Sequence, residues 1–222
     1  MQITNKTLYT NIALFAIYTV FSVITYIVTN NFLHIFLVWN LFLAAIPFGI
    51  VYFIDHKIIK DKLWIILSLL VWLFFFPNSI YIITDLIYID VDVFVISGFG
   101  YDPTTFVQDI PSYLALFHIY LGSIIGLIYG FKSVNALYSL SKGTVAFKYR
   151  DLIAVLVFIL SGLGIYIGRF FRYNSWEILK VFSIIKDFFS TFSWFTVFFI
   201  LALTVIQVLI FYMFRFNFYK KK

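Results

Sequence analysis

Six uncharged apolar runs dominate this chain, most of them close to the roughly 20 residues that a helix needs to cross about 30 Å of hydrocarbon. They are Leu8–Val28, Phe32–Ile54, Leu63–Ile83, Tyr113–Phe131, Leu152–Gly168 (the shortest) and Phe192–Phe214. Hydrocarbon offers backbone amides no partner, so only helices or a closed barrel can span it. The alternating segments of about ten residues that mark a barrel are absent, and the runs therefore predict an all-α polytopic membrane helix bundle of about six transmembrane helices. Composition agrees, because 12% charged residues against 63% hydrophobic ones cannot cover a water-facing exterior. The first run is too long for a secretion signal and lacks a small-x-small cleavage site, so it reads as a retained span. With no internal repeat or separate soluble segment, residues 1–222 read as one integral membrane domain.

Basic residues set the expected orientation. Lys6, Lys57, Lys60, Lys62, Lys132, Lys142, Lys148, Arg150, Arg215 and Lys220 to Lys222 all fall on one side if the spans alternate. Only Arg169, Arg172, Lys180 and Lys186 fall on the other. The positive-inside rule then places both termini in the cytoplasm of a multi-pass protein. The net charge of +6 has this membrane-flank origin, and no basic patch interleaved with aromatics suggests nucleic acid as a partner. The expected partners are membrane lipids, with a small anionic ligand or another membrane protein as further candidates. The absence of cysteine excludes disulfides, thiolate nucleophiles and Cys-ligated metals. His34, His56 and His118 have no metal-ligand spacing, and neither a metal site nor a cofactor is expected.

Two stretches carry most of the polar chemistry. In FFFPNSIYIITDLIYI (Phe74 to Ile89), helical geometry would bring Asn78, Tyr81, Asp85, Tyr88 and Asp92 within about 80° of arc. Such a stripe of amide, hydroxyls and carboxylate can grip a cation, an arginine or a sugar-like head group, or it can simply bond within the bundle. Pro77 removes one backbone donor and would free the carbonyl of Leu73. In GLGIYIGRFFRYNSWE (Gly162 to Glu177), Arg169 and Arg172 stand three apart, with Tyr166 one turn earlier. Two forked guanidiniums there can clamp a carboxylate or phosphate, or they can snorkel to lipid head groups. Asn174 and Glu177 have capping-box spacing and would start an interfacial amphipathic helix that includes Trp176, Phe182 and Ile185. The acids Asp85, Asp90, Asp92, Asp102 and Asp109 precede the fourth span, so they would share a membrane face with the outlying bases.

The remaining polar positions have plainer readings. His118 is expected to be a buried neutral imidazole with a backbone partner. Asn40 and Gln207 are expected to make interhelical hydrogen bonds. Gly122, Gly126 and Gly130, like Gly164 and Gly168, have a spacing that lets backbones approach, and the expected contact is the fourth span against the fifth. The segment Val91–Ser112 is open between a loop, a helix extension and a re-entrant piece.

PNSIYIITDL (Pro77–Leu86) together with GIYIGRFFRYNSWEIL (Gly164–Leu179) resembles the bacterial integral-membrane family known as domain-of-unknown-function family 1361. The positions that carry the resemblance are Pro77, Asn78, Tyr81, Thr84, Asp85 and Leu86, then Gly168, Arg169, Arg172, Asn174, Ser175 and Trp176. It implies a protein of the bacterial cell membrane and no particular reaction. Where the family pattern often has His after Thr-Asp-Leu and Asp after Trp, this chain has Tyr88 and Glu177. The residues favour an outer-facing ligand site of Asn78, Tyr81, Asp85, Arg169, Arg172 and Asn174 that binds or transports an anionic lipid head group or small solute. The alternatives are an enzyme acting on a lipid-linked substrate, with Asp85 as base, and a structural partner in a membrane complex.

Overall fold

The computed structural model describes residues 3–89, 94–97, 105–173 and 180–219. The six spans are helices: α1 (Asn5–Thr29), α2 (Leu33–Asp55), α3 (Lys62–Tyr81), α4 (Ile110–Leu140), α6 (Arg150–Tyr166) and α8 (Trp194–Tyr219). Between α3 and α4 the chain forms a 3-10 segment (Ile82–Tyr88) and a small antiparallel pair, β1 (Val95–Ser97) with β2 (Thr105–Phe106). A short α5 (Val145–Lys148) precedes α6, a π-helical turn (Ile167–Phe171) follows it, and α7 (Val181–Thr191) leads into α8. The all-α membrane-bundle class read from the apolar runs is the observed one. Val91–Ser112 contains the β pair and the start of α4, three residues before the expected Tyr113.

Helix ends follow local chemistry. Thr4 caps α1 through its hydroxyl, which accepts from the Thr7 amide at 3.2 Å. The other end of α1 closes on Asn30 in the left-handed conformation, with φ 52°, and the hairpin to α2 is correspondingly tight. Asp109 caps α4, accepting from the Ser112 amide at 3.0 Å and from its hydroxyl at 2.6 Å. These two bonds favour the ionised form and hold the Asp109 carboxyl below the usual carboxylate range.

Beside an apolar core, the bundle buries many polar side chains and exposes many large apolar ones. Ser22, Thr25, His34, Ser79, His118, Ser133 and Gln207 are buried, whereas Ile17, Val20, Ile27, Phe198, Leu201 and Leu209 face outwards. Apolar side chains cost nothing against lipid, while polar ones need partners, so the partners are found inside the bundle. Ser22 and Thr25 donate to carbonyls one turn back, Ser79 to the Ala44 carbonyl at 2.9 Å, and the Trp72 indole to Ser133 at 3.1 Å. Gln207 donates to the Phe158 carbonyl across helices, as its sequence position implied.

α2 lies at the centre, packed on α3, α4 and α1, and α6 joins this group through α3 while holding α8 on its far side. The glycine spacing works differently from the expected pairing of the fourth span with the fifth. A Cβ on Gly126 or Gly130 would meet Ile82 and Ser79 of the third span, and one on Gly164 would meet Pro77. Both glycine rows therefore admit the third span, which sits between the other two. Gly122 instead makes room for Tyr18 of α1. α3 passes through Pro77 and then tightens into the 3-10 segment.

α7 is amphipathic, with Phe182 and Phe189 strongly exposed beside Ile185. The proposed capping box at Asn174 and Glu177 lies outside the described residues, as do Asp90, Asp92, Asp102 and Trp176.

Candidate functional site

The polar residues of the third and fifth spans meet where α3 and α6 finish and α2 and α4 begin. In the 3-10 segment, residues three apart eclipse one another, so Tyr81 and Thr84 form one short row and Asp85 and Tyr88 another beside it. Both rows face Arg169, which the π-helical turn places at the end of α6. One Nη of Arg169 lies 2.6 Å from Asp85 Oδ1 and also donates to the Thr84 hydroxyl. Its Nε donates to the same hydroxyl at 3.1 Å, and the other Nη donates to the Tyr88 oxygen at 3.3 Å. The guanidinium lies over the Tyr81 ring, 4.3 Å from its centroid.

Asp85 is completed from the far side by Asn40 of α2, whose amide donates to Oδ2 at 3.4 Å. The Asp85 side chain is 2% exposed and that of Arg169 is 11% exposed. Two opposite charges this far from water are stable only with hydrogen-bond partners at hand, and here hydroxyl, amide and ring groups supply them. Thr84 adds a donation of its own to the Tyr81 carbonyl at 2.6 Å, which fixes its oxygen as the acceptor that Arg169 requires.

Tyr81, Asp85 and Arg169 are thus brought together. Asn78 lies one turn away and donates to the Phe75 carbonyl at 3.1 Å, within its own helix. Arg172 does not sit beside Arg169 on a continuous α-helical face. The π turn and the left-handed backbone at Arg172, with φ 60°, carry it out to an exposed position. Asn174 lies outside the described residues. Tyr166 also leaves the cluster, since it is buried and accepts a hydrogen bond from Thr196 of α8 at 3.0 Å.

Asn40, Thr84 and Tyr88 are the members that were missing from the sequence-derived site, although Tyr88 stood in the polar stripe. Thr84 stands one residue off the expected stripe, and only the 3-10 geometry aligns it. Asn40 was legible as an interhelical donor but its acceptor, 45 residues away, was not.

A second polar cluster lies at the same end of the bundle. His118 of α4 is fully buried, and its partners are side chains, contrary to the expected backbone bond. Its Nε2 is 2.6 Å from Ser22 Oγ of α1, and its Nδ1 is 3.0 Å from His34 Nδ1 of α2. Tyr18 stacks on the His118 ring at a centroid distance of 4.6 Å. Tyr18 is also within electrostatic reach of Asp85, which links the two clusters. Among the described residues no group of three or more His, Cys, Asp or Glu side chains is arranged to hold a metal ion.

The opposite end has its own lock. Asp151 at the start of α6 pairs with Arg215 of α8 at 2.9 Å and accepts from the Tyr138 hydroxyl of α4. Arg215 and Arg150 both stack on the Tyr138 ring.

No curated protein and no solved structure matches this chain. The family described as Protein of unknown function (DUF1361) does match, over residues 39–210, a stretch that includes Asn40, Tyr81, Thr84, Asp85, Tyr88, Arg169 and His118. The match covers most of the chain and reaches into all but the first of its spans, and the protein belongs to this family.

Proposed function

We propose that this protein binds or moves an anionic lipid head group or small anionic solute at the end of the bundle that carries Arg169. The observation that supports this is a nearly buried guanidinium at the end of two membrane-spanning helices, held by one carboxylate and two hydroxyls over an aromatic ring. A phosphate or carboxylate that reaches Arg169 would compete with Asp85 for the same forked donors. Asp85 then acts as an internal stand-in for the ligand, and Asn40 retains one of its oxygens when Arg169 lets go. The distribution of lysine and arginine supports a cytoplasmic position for both termini and an outer position for this site. The family resemblance supports a bacterial cell membrane. Single cysteines at Gln108 and Ser190, both exposed, test that orientation with an impermeant thiol reagent on intact cells. Labelling of both supports a shared outer face, and protection of either until permeabilisation refutes it.

The ligand reading is tested by bound anion per protein after reconstitution into phosphatidylcholine with phosphatidylglycerol, and separately by binding of inorganic phosphate. Arg169→Ala should lose the bound anion and Asp85→Asn should gain it, with helicity unchanged. Equal content in wild type and both variants refutes the reading. A purely structural latch has its own support, because Asp85 and Arg169 each already have protein partners on both sides. In that case Asp85→Arg combined with Arg169→Asp recovers folding that either single change loses, and no anion follows Arg169. Asp85 as a catalytic base is the weaker reading, since its carboxylate is engaged at both oxygens.

A further inference from the structure

We propose that His34 and His118 form a buried site that binds one proton, shared between two imidazoles and limited to one by their geometry. The direction of every hydrogen bond in the cluster follows from counting protons. Ser22 has a single hydroxyl proton and two close neighbours, the Tyr18 carbonyl at 2.7 Å and His118 Nε2 at 2.6 Å. A carbonyl can only accept, and its 2.7 Å approach assigns the Ser22 proton to Tyr18, with His118 Nε2 as the donor to Ser22 Oγ. In the neutral pair His118 Nδ1 is then the bare nitrogen, and His34 Nδ1–H donates to it across 3.0 Å. The chain of donors runs from His34 through His118 and Ser22 to a carbonyl, where it stops. It is a store for a proton and not a path across the bundle.

His34 Nε2 is the one ring nitrogen of the pair without a hydrogen-bond partner among the described residues. It is where an added proton lands. His34 occupies the first turn of α2, so this nitrogen stands near the end of the bundle. Once taken up, the charge can pass along the short bond: His34 Nδ1 gives its proton to His118 Nδ1, leaving His34 as the Nε2–H tautomer and His118 as the cation. A second proton would set two N–H groups against each other at 3.0 Å, which excludes the doubly charged pair.

The groups packed against the pair are aromatic rings and a hydroxyl. From α1, Ser22 accepts from His118, and the Tyr18 ring lies on the imidazole face at 15° to it, with Phe21 tilted at 5.6 Å. Cations are attracted to such ring faces. From the third span, Asp85 lies within electrostatic reach of Tyr18, and it is paired with Arg169. The charged groups of α8 lie elsewhere, with Arg215 bound at the opposite end. Tyr129 and Lys132 of α4 are bonded instead to Asn11 of α1.

Nitrogen-15 NMR of the whole protein, histidine-labelled and reconstituted in phosphatidylcholine bilayers, tests this directly. The chain has three histidines, and His56→Gln removes the exposed one that contacts the Tyr52 carbonyl. At about pH 8 the two remaining rings should show opposite tautomers, one Nδ1–H and one Nε2–H. Between about pH 8 and about pH 4 they should together take up one proton, with averaged shifts on both rings. Ser22→Ala should abolish the fixed Nε2–H tautomer of His118 without changing the one-proton limit. Two protons taken up by folded protein, no uptake over that range, or the same tautomer on both rings would each overturn the proposal.

Discussion

Replacing Asp85 by Ala should be among the most damaging single changes available in this bundle. Arg169 would keep its charge, with its side chain only 11% exposed, and would lose the carboxylate 2.6 Å away. Breaking a buried pair by removing one partner costs about 3–5 kcal/mol, most of it for the stranded charge. The Thr84 and Tyr88 oxygens and the Tyr81 ring remain, so the lower half of that range is expected, about 3 kcal/mol. Arg169→Ala strands Asp85, which is more deeply buried but retains Asn40, and about 3 kcal/mol again applies. Asp85→Leu with Arg169→Met together removes both charges and should come within about 1 kcal/mol of wild type. The singles and the double, with the Asp85→Ala/Arg169→Ala pair to close the cycle, can be read by reversible unfolding in mixed micelles. A coupling energy of about 2–3 kcal/mol is expected. Additive single effects, with coupling under about 0.5 kcal/mol, would refute the view that this pair is closed inside the bundle.

Other substitutions probe the packing. Gly122→Ala would put a Cβ 2.5 Å from the Tyr18 hydroxyl, and overpacking of this kind costs about 1–3 kcal/mol; the same assay should also show the Tyr18–His118 stack disturbed. Gly49→Ala meets nothing within 4 Å and should stabilise α2 by about 0.5–1 kcal/mol, so a destabilised Gly49→Ala would contradict the packing described. Asp109 stabilises the α4 cap fully above the ordinary carboxylate range, and this contribution fades as pH falls through its depressed folded value. The stability difference between wild type and Asp109→Ala should therefore narrow in acid, and a gap that widens there would reverse the sign. Phe182→Trp on α7 should fluoresce with strong quenching by shallowly brominated lipids, whereas quenching only by aqueous iodide would remove α7 from the interface.

The sequence by itself determined the solvent and the number of crossings, because runs such as Leu33 to Ile54 and Phe195 to Phe211 have nowhere to go but hydrocarbon. Once the solvent is lipid, backbone hydrogen bonding dictates helices, and the all-α class follows without any knowledge of packing. It also singled out Tyr81, Asp85 and Arg169, since charges near span ends are costly enough to be noticed one by one. What it lacked was the backbone geometry between them. A switch to 3-10 at Ile82 recruits Thr84, and a π turn at Ile167 with a left-handed Arg172 takes Arg172 off the helical face of Arg169. Helical periodicity assumes a constant rotation per residue, so it fails where that rotation changes. Pairings across long sequence separations, such as His34 with His118 and Asn40 with Asp85, were decided by tertiary structure alone. The same is true of the third span's place between the two glycine rows. In lipid every helix is apolar on its outside, so hydrophobicity carries almost no information about which neighbour a helix meets. Small residues and buried polar partners decide that, and they declare themselves only when the helices are side by side.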